Sequence, residues 1–336
     1  MKTIRVEDAV GKRIAHDYTC ITLDFKGAIK RRGDIIDDQD IPLLKKCGHY
    51  YVRIIDEDIE DSLLHEDEAV IELAKLIVTN NVHIKPMQEA KTYLYSKVNG
   101  LLLVDSERLA KINSGGVFVV VTKKTGKYVK QGELIGVIDV IPLYVEKDTI
   151  DKLEKELVIG TPLIRVIQTV NPRVGLIITG SEIVDGLRED LASPIVLDKL
   201  KQYDCLPGEV VYARDDLEEI YRLIVKLLES HDAVVLTGGM SVDPTDYTPK
   251  AILLAADEVL AYGIPIKPTT MSMIAYKGNK AIIGVSSGII HFPEENILDI
   301  VLPWVSSNYK IPKTYIHHLG EGGLLQSFLN RMTKRD

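Results

Sequence analysis

From Thr237 to Asp246 the chain reads Thr-Gly-Gly-Met-Ser-Val-Asp-Pro-Thr-Asp. Gly238 and Gly239 let main-chain N–H groups approach a ligand closely, and Ser241, Asp243, Thr245 and Asp246 follow with side-chain oxygens. Pro249 then opens a helix in its first turn. Free amides converging with the positive end of a helix dipole suit a phosphate or another oxyanion. An ordinary strand-to-helix turn would need only one cap, Asp246 or Thr248, whereas several small oxygen-bearing residues crowd this loop. Two further segments have the same texture: Thr179-Gly180-Ser181-Glu182, trailed by Asp185-Gly186, and Val285-Ser286-Ser287-Gly288. Glu182, Asp243 and Asp246 add carboxylates. Beside a phosphate these repel unless a magnesium ion (Mg2+) or a cationic substrate edge intervenes, or else they grip ring nitrogens of a heterocycle. Lys267 is the nearby cation in sequence, and taken alone it reads as an exposed lysine after a strand.

Each segment follows a short apolar run, at Val174 to Ile178, Ala233 to Leu236 and Ala281 to Gly284. Helical patterns lie between them, near Ile195 to Tyr203, Leu217 to Leu228 and Thr248 to Ala256. Such alternation predicts an α/β domain with a three-layer, mostly parallel sheet covered by helices on both faces. Ligands of these sheets bind beyond the carboxyl ends of the strands, so the three loops should meet in one pocket. Asp215-Asp216 reads as the cap of the helix that follows.

The preceding half has a different texture. Residues 1–60 suggest a small α+β module with a Lys26-Gly27 turn, a helix closed by Gly48 and a strand from Tyr50 to Ile55. Asp56 to His65 is charge-rich, a linker or helix start. Residues 61–147 pair an amphipathic helix, Glu68 to Val78, with short strands broken by glycine. The turns from Gly126 to Gly136 resemble those of small β-barrels and lipoyl-type sandwiches without any modification motif, and strand-and-turn chemistry accounts for them. A charged helix from Asp148 to Leu157 would separate this module from an α/β domain over 148–305, with a tail at 306–336. The adjacent His317 and His318 are expected on opposite faces of a strand in that tail.

At 336 residues the chain exceeds one ordinary core, and 46% apolar residues can fill two or three. A formal charge of -8 argues against nucleic acid and against an anionic membrane surface as partners. The amino terminus lacks the apolar core of a signal peptide and no segment is long enough to span a bilayer, so a cytoplasmic location is expected. Cys20, Cys47 and Cys205 are odd in number and widely spaced with no Cys-x-x-Cys pair, which argues against a disulfide framework and a thiolate zinc site.

Residues about 165 to 305 resemble the molybdopterin-binding domain of molybdenum-cofactor biosynthesis proteins, the group that includes molybdopterin molybdotransferases and the gephyrin E domain. The motifs that carry this are Thr179 to Glu182, Asp215-Asp216 before a helix, Asp232 to Asp246, and Ile266-Lys267-Pro268 followed by Gly284 to Gly288, in the family's order and approximate spacing. Val6 to Asp17 resembles the opening of the longer molybdotransferases, while residues 20 to 160 match them poorly. The resemblance implies a pterin phosphate at Gly238, Gly239 and Ser241, with Glu182 and Asp246 handling Mg2+ or molybdate on an adenylated molybdopterin. It implies molybdopterin contacts from Thr179, Gly180, Ser181, Thr237, Asp243, Lys267, Ser286, Ser287 and Gly288 as well. Ser181 stands where these enzymes carry an acidic residue, and Val285-Ser-Ser-Gly288 replaces Leu-Pro-Gly-Asn. That weakens metal insertion more than pterin binding. Three readings follow: molybdate or tungstate insertion by a homo-oligomeric transferase, a carrier or sensor that delivers the cofactor to molybdoenzymes, and a Mg2+-dependent nucleotide pyrophosphatase of the competence-damage-protein type.

Overall fold

The computed structural model describes residues 2–55, 62–87, 90–157, 160–241, 243–244 and 246–333. Thr245 and most of the charge-rich stretch expected as a linker, 56–61, lie outside the described residues.

The valine-rich run at 233–237 is buried at every position and forms the middle of a six-stranded sheet. Its strands are β1 (Arg173–Thr179), β2 (Leu206–Ala213), β3 (Ala233–Thr237), β4 (Glu258–Tyr262), β5 (Met273–Lys277) and β6 (Lys280–Val285). They lie in the order β2-β1-β3-β6-β5-β4. β2, β1, β3 and β6 are parallel, and β5 and β4 add an antiparallel edge. Strand geometry sends alternate side chains to opposite faces. Val234 and Leu236 therefore pack on one side with Ile220, Ile224, Ala251 and Ile252. These come from α2 (Leu217–Ser230) and α3 (Thr248–Ala255). Val235 packs on the other side with Val196, Leu200, Leu298 and Val301 of α1 (Ser193–Gln202) and α4 (Leu298–Ser306). Each such fully buried aliphatic is worth about 2 kcal/mol over exposure. The three-layer expectation holds in this region. β5 was not foreseen; it pairs antiparallel with β6 across an exposed turn at Gly278 and Asn279.

The first module pairs Lys2–Arg5 with Tyr51–Ile54 and Tyr18–Ile21 with Lys26–Lys30. The expected Lys26-Gly27 turn is instead the start of a strand, and the chain reverses where Thr22 N–H donates to Phe25 O at 2.7 Å. Gly27 serves the Phe25 ring, since a Cβ there would sit 3.3 Å from its Cζ. The expectation against disulfides is corrected at one pair. Cys20 and Cys47 form a disulfide between that hairpin and the helix Asp40–Lys46, their Cα atoms 5.1 Å apart. Spacing along the chain could not show this, because the contact depends on the helix folding back over the hairpin. Cys205 is buried and free, and burial pushes its thiol up to about 12.

In the middle, Val82–Pro86, Lys91–Ser96, Leu134–Val140 and Phe118–Thr122 form an antiparallel sheet beneath the helix Glu66–Ile77. The helix Lys147–Leu157, expected as a separator, puts Ile150 and Leu157 into this same core. Beyond it Ile164–Gln168 pairs with Gly100–Val104, so the middle core runs past the border expected at 148. Gly100 permits the pairing, since a Cβ would lie 2.0 Å from Ile167 O. The expected tail is helical: Lys313–His318 carries His317 and His318 exposed on a helix rather than a strand, while Ile316 and Leu319 join the α/β core. No helix among the described residues is long and apolar enough to cross a membrane.

Candidate functional site

Because β1, β3 and β6 are adjacent and parallel, the loops after Thr179, Thr237 and Val285 emerge at one edge of the sheet. They enclose a cavity of about 240 Å³ whose wall includes Thr179, Gly180, Glu182, Thr237, Gly238, Gly239, Asp246 and Ser287. Ser181, Ser241, Asp243, Ser286, Gly288 and Lys267 are not on that wall.

The central loop can close only with glycine. Gly238 has φ +102°, and a Cβ there would lie 2.3 Å from Thr179 O. Gly239 has φ +56°, with Thr248 Oγ1 2.9 Å from its would-be Cβ. Neighbouring hydroxyls brace this conformation: Thr248 Oγ1 donates to Gly238 O at 2.9 Å and lies 3.3 Å from Thr179 Oγ1. Asp246 accepts from Ser241 N–H at 2.6 Å, which folds the loop back on itself. Asp246 N–H in turn donates to Asp243 O at 3.0 Å, so Asp243 contributes a carbonyl to the turn. Neither Asp246 nor Thr248 caps the following helix. Tyr247 stands at the N-cap of α3 without a side-chain hydrogen bond, and Pro249 in the first turn has no N–H to leave unpaired. Thr237 Oγ1 is buried behind the wall with no hydrogen-bond partner among the described residues.

Ser181 starts a helical turn, Ser181–Val184, and is tied to Asp215. Its N–H and Oγ donate to Asp215 Oδ2 at 2.9 and 3.0 Å, and its Oγ accepts from Asp215 N–H at 3.1 Å. Sequence reasoning placed both Asp215 and Asp216 at the helix cap. Only Asp216 serves there, accepting from Glu219 N–H at 2.8 Å, while Asp215 lies on the cavity wall. The signal was the doubled aspartate itself, since one cap satisfies a helix start.

Glu182 folds over Gly180 and lies 3.8 Å from Arg188. Arg188 is the cation of this wall, a position the sequence reading assigned to Lys267. Lys267 is exposed and off the cavity wall, and its main-chain N–H donates to Gly323 O at 2.7 Å. Asp190, also on the wall, is pushed up by burial but held below the usual carboxylate range by hydrogen bonds from Ser193 and Ala192. Arg188 and Asp190 were missed because they sit several residues past the motif, in a segment that folds back. The third loop contributes through Ser287, which opens a short 3-10 turn, Ser287–His291. Gly288 has no steric obligation to be glycine, as its nearest contact would be Ser286 Oγ at 3.4 Å.

Among the described residues no group of three or more His, Cys, Asp or Glu is placed to hold a metal ion. The carboxylates on the wall are Glu182, Glu189, Asp190, Asp215 and Asp246, of which Asp246 accepts from Ser241 N–H and Glu182 lies beside Arg188.

Residues 175–303 match the family model described as "Probable molybdopterin binding domain". This part of the chain belongs to that family. The molybdopterin-binding domain is related to the molybdopterin molybdenumtransferase of Staphylococcus aureus strain Mu50, which is 28% identical over 173 residues, covering 48% of this chain and 37% of the relative. The match thus spans little more than a third of that relative's length. Among solved structures, the molybdopterin biosynthesis enzyme MoaB of Thermus thermophilus is 18% identical, covering 42% of this chain and 98% of its own, with a TM-score of 0.36. A CinA protein of Thermoplasma acidophilum, described as of unknown function, is 19% identical over 34% of this chain and 87% of its own, with a TM-score of 0.31. Residues 3–56 match a separate model, a domain of unknown function.

Proposed function

We propose that the molybdopterin-binding domain holds the phosphate of molybdopterin on the main chain of Gly238 and Gly239. One observation carries this: both glycines line the cavity and adopt positive φ with no room for a Cβ, so main chain rather than side chain faces a ligand there.

Molybdate or tungstate insertion into an adenylated molybdopterin is the finer reading, and Arg188 beside Glu182 supports it by offering a cation for the oxyanion. Glu182 and Asp246 would orient that substrate from the cavity wall. The tie between Ser181 and Asp215 supports the carrier reading instead, because it spends on the loop's own shape a carboxylate that catalysis would need free. The pyrophosphatase reading would require Mg2+, and no group of three or more His, Cys, Asp or Glu among the described residues is placed to hold it.

Fluorescence titration with molybdopterin tests the binding step. Saturable binding that is lost in Gly239→Val supports it, and normal affinity in that variant would reduce the loop to a turn. Incubation with adenylated molybdopterin, molybdate and Mg2+ then separates the finer readings. AMP release marks a transferase, while retained pterin without turnover marks a carrier. Hydrolysis of ADP-ribose without pterin affinity would replace both with the pyrophosphatase.

A further inference from the structure

A second cavity, of about 600 Å³, lies where the middle module meets the C-terminal helices. Its size falls in the range of small-molecule pockets. One wall is aromatic: Trp304 lies with its ring centroid 4.8 Å from that of Tyr315 and 6.0 Å from that of Tyr309. Tyr315 is seated on Gly126, where a Cβ would lie 2.3 Å from its hydroxyl, so the C-terminal helix is docked on the middle module by a close backbone fit. Opposite stand Arg165, on the strand Ile164–Gln168, and Lys124, on the loop after Phe118–Thr122. Neither forms a side-chain hydrogen bond or salt bridge among the described residues, whereas Asp105 on the same wall is already held by Arg108 Nε at 2.7 Å. Glu321 and His318 complete the rim, both solvent-exposed.

One feature points to a ligand rather than to a packing gap: Arg165 is a half-buried guanidinium with no side-chain anion partner among the described residues, which suits a carboxylate. The Trp304 indole, close enough to Tyr315 to ease the upward push that burial gives that phenol, offers its ring face to the cavity.

This cavity is separate from the pterin site. Trp304 also adjoins Ala233 and Ala281, the first parts of β3 and β6, whereas the pterin loops leave the other ends of those strands. The five residues of β3 set them roughly 16 Å apart.

We propose that this cavity is a second binding site, for a planar heteroaromatic carboxylate whose ring packs on the Trp304, Tyr309 and Tyr315 face and whose anionic group meets Arg165. Such a site would let a small metabolite bridge the middle module and the molybdopterin-binding domain.

Trp304 is the single tryptophan of the chain, so its emission reports on the cavity directly. The probe is quinoline-2-carboxylate, with uncharged quinoline as control, titrated into the full-length protein. The expected result is a saturable emission change for the carboxylate, with affinity weakened about tenfold or more in Arg165→Gln and for quinoline, the loss of one charge-assisted contact. Gly239→Val should leave the titration unchanged. Calorimetry on Tyr309→Ala gives a second measure and should also show weakened binding. Absence of saturation, equal affinity for quinoline, or wild-type affinity in Arg165→Gln would overturn the proposal. Loss of binding in Gly239→Val would overturn the separation of the two sites.

Discussion

The two cavities at opposite ends of one sheet are made of different material. The strand-end cavity, the proposed pterin site, is built from main chain and small side chains that follow three adjacent parallel strands, and its shape rests on where a Cβ cannot go. The aromatic cavity is built from large side chains on four segments far apart in the chain, from Leu103 to Glu321, and its shape rests on how one module docks against another. The first is rigid by local geometry. The second exists only while the modules stay together. Substitutions should therefore separate them: a Cβ harms the first, and loss of ring volume harms the second.

The largest effect is expected from Trp304→Ala. It removes a ring that is 2% exposed and should cost about 3–5 kcal/mol, read by chemical denaturation. Pterin affinity measured well below the unfolding transition should stay near wild type; a parallel loss would show that the two ends of the sheet are coupled. Next is Gly238→Val. Forcing a branched side chain to φ +102° against Thr179 O should cost about 1–3 kcal/mol and weaken molybdopterin binding more than about a hundredfold. The quinoline-2-carboxylate titration should be spared.

Asp215→Asn sharpens the comparison within the pterin end. It keeps the size but removes the charge that accepts from Ser181 N–H and Oγ, so the first loop should loosen and pterin affinity fall about tenfold. Unchanged affinity would show that Ser181 is held by its own turn. Asp246→Asn should be milder in binding, because an amide oxygen can still accept from Ser241 N–H, and any transferase activity should fall further than affinity does.

The smallest effect is a pH dependence confined to the first half of the chain. Burial pushes His65 and His16 below the usual imidazole range, so both are neutral in the fold. His65 accepts from Asp67 N–H at the start of the helix Glu66–Ile77, a role that protonation of that nitrogen would abolish. With folded values depressed, the unfolded chain binds protons first as pH falls below about 6.5. Stability present at pH 7.5 should decline toward pH 5.5 in the N-terminal transition of a calorimetric melt, leaving the transition of the α/β region in place. His65→Asn should flatten that dependence, and an unchanged slope would remove His65 from the account.

How much could be read in advance follows the same division. The three strand-end loops, the glycines and the layered α/β arrangement were legible, because apolar runs, glycine pairs and helix starts are encoded by residues a few positions apart. Asp215 was visible but misplaced, since a doubled aspartate before a helix hides which of the pair caps it. Arg188 was overlooked in favour of Lys267, whose distance along the chain says nothing of the edge on which it emerges. The Cys20–Cys47 disulfide, the extension of the middle core through Val166 and the helical C-terminal segment were likewise out of reach.

The amino-acid sequence alone determined the pterin loop, because positive φ and the absence of a Cβ are properties of glycine wherever it stands. Only the tertiary structure decided which carboxylate and which cation face that loop, and that Trp304 meets Arg165 across a cavity. Those contacts join segments with no local preference for each other and arise when separate hydrophobic cores pack together.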